Sequence, residues 1–336
     1  MLRPMASNIK SVKVESPNAG MLEAGSPKNM SWVPGGLFWM GSEDFYPEER
    51  PVHQVQVDGF WMDTHQVTVA EFRRFVKDTG HVTVAETAPD AADYPDADPA
   101  LLVPGSLVFT PPPGPVSLDD YHQWWSWVPG ADWRHPEGPQ SNVGGRERHP
   151  VTHVAHTDAL AYAAWAGKDL PTEAEWEFAA RGGLDRAVYS WGDEYTPGGR
   201  QQANTWQGQF PWENLAEDGF VGTSPVGSFR PNGYGLVDMA GNVWEWTTDF
   251  HTADHSVSGK NVAPASSCCI PSNPRIDAAA PRDGEVYPRR VIKGGSHLCA
   301  PNYCLRYRPA ARQGETEETS TCHVGFRCVV RGQGPG

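Results

Sequence analysis

Glycine and proline interrupt this chain from end to end. There are 35 Gly and 31 Pro among 336 residues, so about a fifth of positions favour turns or break regular backbone. Long helices have little room, and short strands joined by irregular loops are the expected material. Low complexity does not explain the pattern, because 14 Trp, 12 Phe and 10 Tyr are spread along the chain. Aromatic rings bury a large surface without needing long apolar runs. A globular, loop-rich protein follows.

A formal net charge of −14 argues against nucleic acid or an anionic membrane surface as partner, since both need clustered Lys and Arg. No stretch approaches the run of about 20 apolar residues that spans a bilayer. The opening MLRPMASNIKSVKVESPNAG has basic residues but lacks the apolar centre of a signal peptide. Residues 1–28 read as a flexible tail and residues 29–333 as one domain, since no Pro/Gly/Ser linker or repeat period divides them. The six cysteines are Cys268, Cys269, Cys299, Cys304, Cys322 and Cys328. All lie beyond residue 267, so most of the chain folds without a disulfide, and a reducing cytoplasm is expected.

Alternating residues around MSWVPGGLFWMGS and VHQVQVDGFWMD predict a β-hairpin or short sheet. Thr68-Val69-Ala70-Glu71 is a capping box opening a helix with Val69, Phe72, Phe75 and Val76 on one face and Gly80 at its end. HTDALAYAAWAGKDL predicts a second helix ending near Gly167. PTEAEWEFAARGG predicts a third, capped by Thr172 and Glu175 and stopped at Gly182. Residues 81 to about 145 show few regular signals and read as a long functional loop or lid. Helices amid short strands make the expected class α+β.

Three segments carry chemistry. In ANTWQGQFPWENLAEDGF, Asn204 and Asp218 offer hard oxygen ligands, although from spacing alone a loop in which they cap their own backbone is the favoured reading. In GYGLVDMAGNVWEWTTD, Asp238 and Glu245 flank a Gly241-Asn242 turn that brings two carboxylates round one cation, or simply closes a hairpin. In GGSHLCAPNYCLRYRPAAR, Cys299 and Cys304 lie five apart, with Pro301 disfavouring a helix between them. Such a pair cycles with a disulfide, grips a soft metal such as Cu(I), or is merely structural. Arg306, Arg308 and Arg312 favour thiolate there, and Ser296 stands three residues before the first cysteine. Adjacent Cys268-Cys269 bond to each other only with strain. Cys328 in GFRCVV reads as buried, while Cys322 is open to either environment. No HExxH, CxxC, GxSxG or P-loop pattern occurs, which removes zinc hydrolase, serine hydrolase and P-loop NTPase readings.

Taken together, FWMGSEDFYPEERPVHQVQV, ADWRHPEGPQS, LPTEAEWEFAARGG, GNVWEW, GGSHLC and GFRC resemble the formylglycine-generating enzyme family in its bacterial form. The resemblance runs from about residue 31 to 331. It implies a compact sulfatase-modifying-factor fold related to C-type lectin folds. It also implies aerobic oxidation of the cysteine in a CxPxR segment of a sulfatase-type protein to Cα-formylglycine. By matching position, Cys299 and Cys304 would hold Cu(I), with Ser296 in the catalytic pocket and Trp124, Arg308 and His323 binding substrate. One Ca²⁺ would take Asn204, Thr205, Asp218 and Phe220, and a second would take Asp238, Gly241, Val243 and Glu245. Partners would be the CxPxR peptide and O₂. A non-catalytic, calcium-stabilised lectin-like binding module is the other reading, and the cysteine pair separates the two. An iron-dependent relative that joins sulfur to carbon needs a helical domain and histidine spacing that this chain lacks.

Overall fold

A computed structural model of the chain describes residues 27–92, 98–255, 270–279 and 287–335. All but the last two residues of the expected tail, and the Cys268-Cys269 pair, lie outside the described residues. Regular elements are short, as the Gly/Pro punctuation demands: the longest described helix has 11 residues and the longest strand 7. In chain order they are β1 (Met30–Val33), β2 (Gly36–Met40), β3 (His53–Val57), β4 (Phe60–Asp63), α1 (Val69–Thr79), β5 (Gly105–Phe109) and β6 (Trp125–Pro129). Then follow α2 (His156–Trp165), α3 (Glu173–Arg181), β7 (Trp244–Phe250), β8 (Arg289–Lys293), β9 (Arg312–Thr316), β10 (Val324–Gly325) and β11 (Val329–Arg331). They form one α+β domain with few helices.

The helix boundaries follow from side-chain chemistry. Thr68 Oγ1 accepts from the Glu71 amide at 3.3 Å while Glu71 Oε2 accepts from the Thr68 amide at 2.9 Å, and Gly80 closes α1 at φ +71°. Thr172 and Glu175 repeat the box for α3, which Gly182 ends at φ +57°. The sequence missed β5 and β6, a five-residue antiparallel pair inside the stretch expected to be a loop. Pro129 and partly exposed Trp125 and Trp127 hide the alternation that marks a strand.

The sheet that positions the site has the order β10-β7-β8-β9. β8 and β9 are antiparallel neighbours with Lys293 opposite Arg312. Residues 294–311 therefore leave and re-enter the sheet at one place, and they contain both Cys299 and Cys304. Behind this sheet lies α3, every residue of which is buried.

Burying charged side chains is tolerable only when they are paired. Glu173 of α3 takes Arg312 Nε at 2.7 Å and Nη2 at 2.8 Å, with Lys293 Nζ at 3.6 Å. Glu177, one turn on, takes Lys293 at 3.1 Å, Arg181 at 2.7 Å and the Gly41 amide at 2.9 Å. Burial alone raises the Glu173 carboxyl, but Arg312 and Lys293 hold it well below the ordinary value of 4.5. Burial likewise raises Glu177, and Lys293 and Arg181 bring it below that value.

Both folded carboxyls titrate below their unfolded value, so their stabilisation is complete above about pH 4.5 and is lost as pH falls through the folded values. Urea unfolding at neutral pH is expected to show Glu173→Gln destabilised by about 3–5 kcal/mol, because Arg312 remains buried without its carboxylate while Lys293 keeps only Glu177. A loss under about 1 kcal/mol would remove this network from its structural role.

Candidate active site

Two glycines start the excursion from β8. Gly294 has φ +91° and lies against the Trp176 ring, where an added Cβ would come within 3.0 Å. Gly295 has φ +69°, and a Cβ there would meet the Arg306 and Tyr307 backbone at 2.9 Å. Only glycine suits both the left-handed backbone and the close approach. The turns that follow are closed by the Cys299 amide to Ser296 O at 2.9 Å and by the Cys304 amide to Ala300 O at 2.8 Å. The segment is moored from outside by the Trp206 amide to Cys299 O at 3.0 Å, and by the His297 amide to Asn242 O at 3.0 Å. Asn302 exchanges hydrogen bonds with the Phe210 backbone.

This folding brings Cys299 Sγ to 3.0 Å from Cys304 Sγ. A disulfide needs about 2.05 Å, so both cysteines are free. They are buried, at 2% and 8% exposure. Hydrogen bonding from Cys299 brings the Cys304 thiol down to about 7 against the upward push of burial, with Arg306 helping. Burial, then the neighbouring Cys304, pushes Cys299 well above the ordinary thiol value. Cys304 is thus the more acidic sulfur of the pair and the one that more readily carries the thiolate.

Arg306 is held in place by Glu48 at 2.7 Å and by the face of Tyr46 at 3.9 Å. Its Nε is buried with no acceptor among oxygen or nitrogen atoms. Tyr46 also accepts the Leu305 amide at 3.0 Å. The segment after β2, which carries Tyr46, Glu48 and Glu49, thus braces the cysteine loop. Sequence reasoning passed over Tyr46 and Glu48, since nothing local links FYPEER to residues some 260 positions away.

The other expected site residues fall as follows. Ser296 is fully buried, its Oγ accepting the Leu298 amide at 3.2 Å and its own amide pointing at Cys299 Sγ at 3.5 Å. Arg308 is buried in a bidentate pair with Glu49 at 2.6 and 2.9 Å, under the Phe45 ring. Its guanidinium is not presented to a ligand. Trp124 is buried among Trp206, Phe210, Leu298 and Ala300, with half-exposed Tyr303 at its edge. His323 is half-buried against Trp125 and bonded through Nδ1 to Thr321 Oγ1 at 2.5 Å. Burial, with His297 and His153 nearby, lowers it to about 3, so it is neutral. Cys322 accepts the Phe109 amide at 3.3 Å and lines a cavity of about 600 Å³ shared with Leu298 and Trp206. Neither Cys299 nor Cys304 lines that cavity.

In the first expected calcium set, Asp218 is tied to the Thr205 and Phe220 backbone. Asn204 Oδ1 is buried without a partner, and its amide nitrogen bonds Gly222 O at 2.9 Å. Asp218 accepts the Thr205 and Phe220 amides at 3.0 and 2.9 Å but has no cationic partner among the described residues. Burial raises its carboxyl. Gln207 Nε2 donates to both Thr205 O and Asp218. An uncompensated carboxylate, an orphaned amide oxygen and a carbonyl suit a hard cation.

In the second set, the two Glu245 oxygens receive Arg327 Nε at 2.7 Å and Nη2 at 2.8 Å, Trp176 Nε1 at 2.7 Å and Gln66 Nε2 at 3.0 Å. Four donors thus lie along the roughly four lone-pair directions of its carboxylate. Asp238 Oδ1 is left partnerless beside Gly241 and Val243, which are buried. Among the described residues no three His, Cys, Asp or Glu side chains converge to hold a metal. No described helix is long and apolar enough to cross a membrane.

A family model described as the sulfatase-modifying factor enzyme 1-like domain matches residues 16–332. The chain is 54% identical over 298 residues to the formylglycine-generating enzyme of Mycobacterium tuberculosis, covering 89% of this chain and 96% of that one. It is 37% identical over 319 residues to the inactive C-alpha-formylglycine-generating enzyme 2 of Bos taurus, covering 93% and 91%. Among solved structures, PvdO from Pseudomonas aeruginosa superposes with a TM-score of 0.58 at 24% identity, covering 90% of this chain and 95% of that one, which shows a shared fold.

Alkylation of the metal-free protein by a small reagent is expected to modify Cys304 before Cys299, with a rate midpoint near pH 7. Arg306→Gln is expected to move that midpoint upward. Equal rates at the two sulfurs would contradict Cys304 as the more acidic of the pair.

Proposed function

This chain belongs to the formylglycine-generating enzyme family, and from that premise we propose that Cys299 and Cys304 serve a copper-dependent aerobic oxidation. The substrate is the cysteine of a CxPxR segment in a sulfatase-type protein, and the product is Cα-formylglycine. Family membership alone does not carry the reading, because a relative named as inactive shares nearly the whole chain. The observation that carries it is the unbonded, buried sulfur pair 3.0 Å apart.

The donor set fits copper in its lower oxidation state, since two soft sulfurs with no carboxylate or imidazole completing a three-ligand group match its preference. Copper, when bound, supplies a soft Lewis acid for sulfur and a one-electron partner for oxygen. Cys299 and Cys304 would hold it. Arg306 supplies positive charge at Cys304, and the Ser296 amide faces Cys299. Arg308 acts as a positioning residue, fixing the loop through Glu49. Trp124, Phe210 and Trp206 close one flank of the loop to water, leaving the half-exposed Tyr303 ring, stacked on Phe210 at 4.5 Å, for an incoming peptide. The substrate thiol would approach a pair in which Cys304 is the more acidic sulfur. The free thiols at Cys299, Cys304, Cys322 and Cys328 support a reducing compartment such as the cytoplasm.

A Ca²⁺ at Asn204, Thr205, Asp218 and Phe220 would act structurally. The Trp206 amide that holds Cys299 O follows directly on Thr205, so a cation there stiffens the mooring of the cysteine loop.

Copper-loaded protein, oxygen, a thiol reductant and a CxPxR peptide are expected to give a peptide aldehyde by mass spectrometry. Cys299→Ala and Cys304→Ala are each expected to lose at least about a thousandfold in rate. Full turnover by either variant would remove the thiolate assignment, and aldehyde formed without oxygen would remove the oxidase reading. Separately, millimolar Ca²⁺ is expected to raise the melting temperature of the wild type and leave Asp218→Asn unchanged. An equal rise in both proteins would place the cation elsewhere.

A further inference from the structure

Four aromatic rings stack from the core cluster that holds the sulfur pair out to partly exposed positions. Tyr307, at 1% exposure, shares one packed cluster with Cys299 and Cys304. Its ring lies 5.1 Å from Tyr195 and 6.1 Å from Tyr189, with interplanar angles of 26° and 19°. Tyr189 in turn lies 5.6 Å from Tyr195 and 5.0 Å from Trp191, the latter nearly parallel at 5°. Tyr189, Tyr195 and Trp191 are each partly exposed. Trp191 sits in a tight turn closed by the Tyr189 amide to Gly192 O at 2.8 Å, and its indole N–H donates to Glu194 O at 2.9 Å. Its ring is therefore fixed at the outer end of the stack.

We propose that Tyr307, Tyr195, Tyr189 and Trp191 form an electron relay between the cysteine pair and the protein surface, an inference that rests on the oxidase reading above. Packing alone does not ask for these ring types. Phenylalanine fills such space without a hydroxyl that needs a partner, whereas here three phenols and an indole, the oxidisable aromatics, touch in sequence.

The electron count gives the relay its task. Taking a –CH₂SH group to a thioaldehyde removes two electrons and two protons, and hydrolysis to the aldehyde releases hydrogen sulfide with no further redox change. Reducing O₂ to two waters consumes four electrons and four protons. The other two of each come from an external reductant of the thiol class, two molecules of which close to one disulfide. Cys299 and Cys304 are buried, and a peptide seated over them blocks a second thiol from the same opening. Electrons passed from Trp191 through Tyr189 to Tyr307, directly or by way of Tyr195, reach the site without displacing the peptide. A phenol that gives up an electron can pass its proton to a hydrogen-bonded partner and recover it on reduction, and the Tyr195 hydroxyl has such a partner in Thr205 Oγ1 at 2.8 Å. The indole passes an electron without releasing a proton.

The test has a photochemical arm that needs neither copper nor substrate. The copper-free full chain is flashed with a ruthenium photo-oxidant, and indole and phenoxyl radicals are followed by transient absorption. The Trp191 signal, identified as the component missing from Trp191→Phe, is expected to decay as phenoxyl absorbance grows, with trapped oxidation mapped to Tyr307 by mass spectrometry. Tyr189→Phe isolates Trp191 and is expected to slow that decay about tenfold or more. An unchanged decay in Tyr189→Phe, or no Tyr307 product in the wild type, overturns the relay. In a second arm, copper-loaded protein receives peptide, oxygen and a thiol. A fall in turnover for Tyr189→Phe with unchanged peptide affinity supports the relay, and wild-type turnover overturns it. Absence of aldehyde from the wild type counts against the oxidase reading instead, and the photochemical arm still decides the relay.

Discussion

Two carboxylates sealed away from water hold the active-site loop in place. Glu173 and Glu177 stand one turn apart on α3, a helix buried along its whole length. Their partners, Lys293 and Arg312, are the residues where the chain leaves and re-enters the central sheet around the cysteines. The register of β8 against β9 and the ion pairs behind it thus specify the same two positions. A charged pair in this setting adds little net stability over well-packed apolar residues, but breaking one partner is costly. Such a network serves as a positional device more than as a source of stability.

Further threads reach the same loop. Glu48 and Glu49 come from the segment after β2 to Arg306 and Arg308, and Gly41 in the same segment donates to Glu177. The segment is clamped between α3 and the loop it braces. From another direction, the backbone at Asn204–Trp206 joins Asn242, His297 and Cys299. The candidate cation loop is therefore a neighbour of the chemistry in space, although almost a hundred residues precede the cysteines. Rigidity matters because a sulfur pair at 3.0 Å is a short step from a disulfide, and a loop free to close would form one.

Local signals were read with good accuracy where the physics is local. The boxes at Thr68–Glu71 and Thr172–Glu175 and the stops at Gly80 and Gly182 fixed helix ends, because capping involves residues three apart. The β5–β6 pair escaped notice, since β6 is half-exposed and pairs with the more buried β5 across an intervening Pro-rich stretch. Sequence reasoning did not foresee Glu49 beside Arg308 or Arg327 beside Glu245, partners 259 and 82 residues away. A carboxylate in a turn-rich loop looks the same in sequence whether its lone pairs are empty or taken.

By itself the sequence determined a loop-rich α+β domain built on aromatic rings, the ends of the three α-helices among the described residues, and the candidate cysteines. Composition and short-range spacing suffice for these, because turns, caps and thiol chemistry depend on residues close in the chain. Only the tertiary structure decided that Cys299 and Cys304 face each other unbonded, that Arg306 rather than Arg308 or Arg312 attends them, and that Tyr307 opens a stacked path to the surface. Each of these depends on which distant charges and rings share a buried space. In a low-dielectric interior it is the complete set of neighbours that decides whether a thiol, a carboxylate or a guanidinium is free to act.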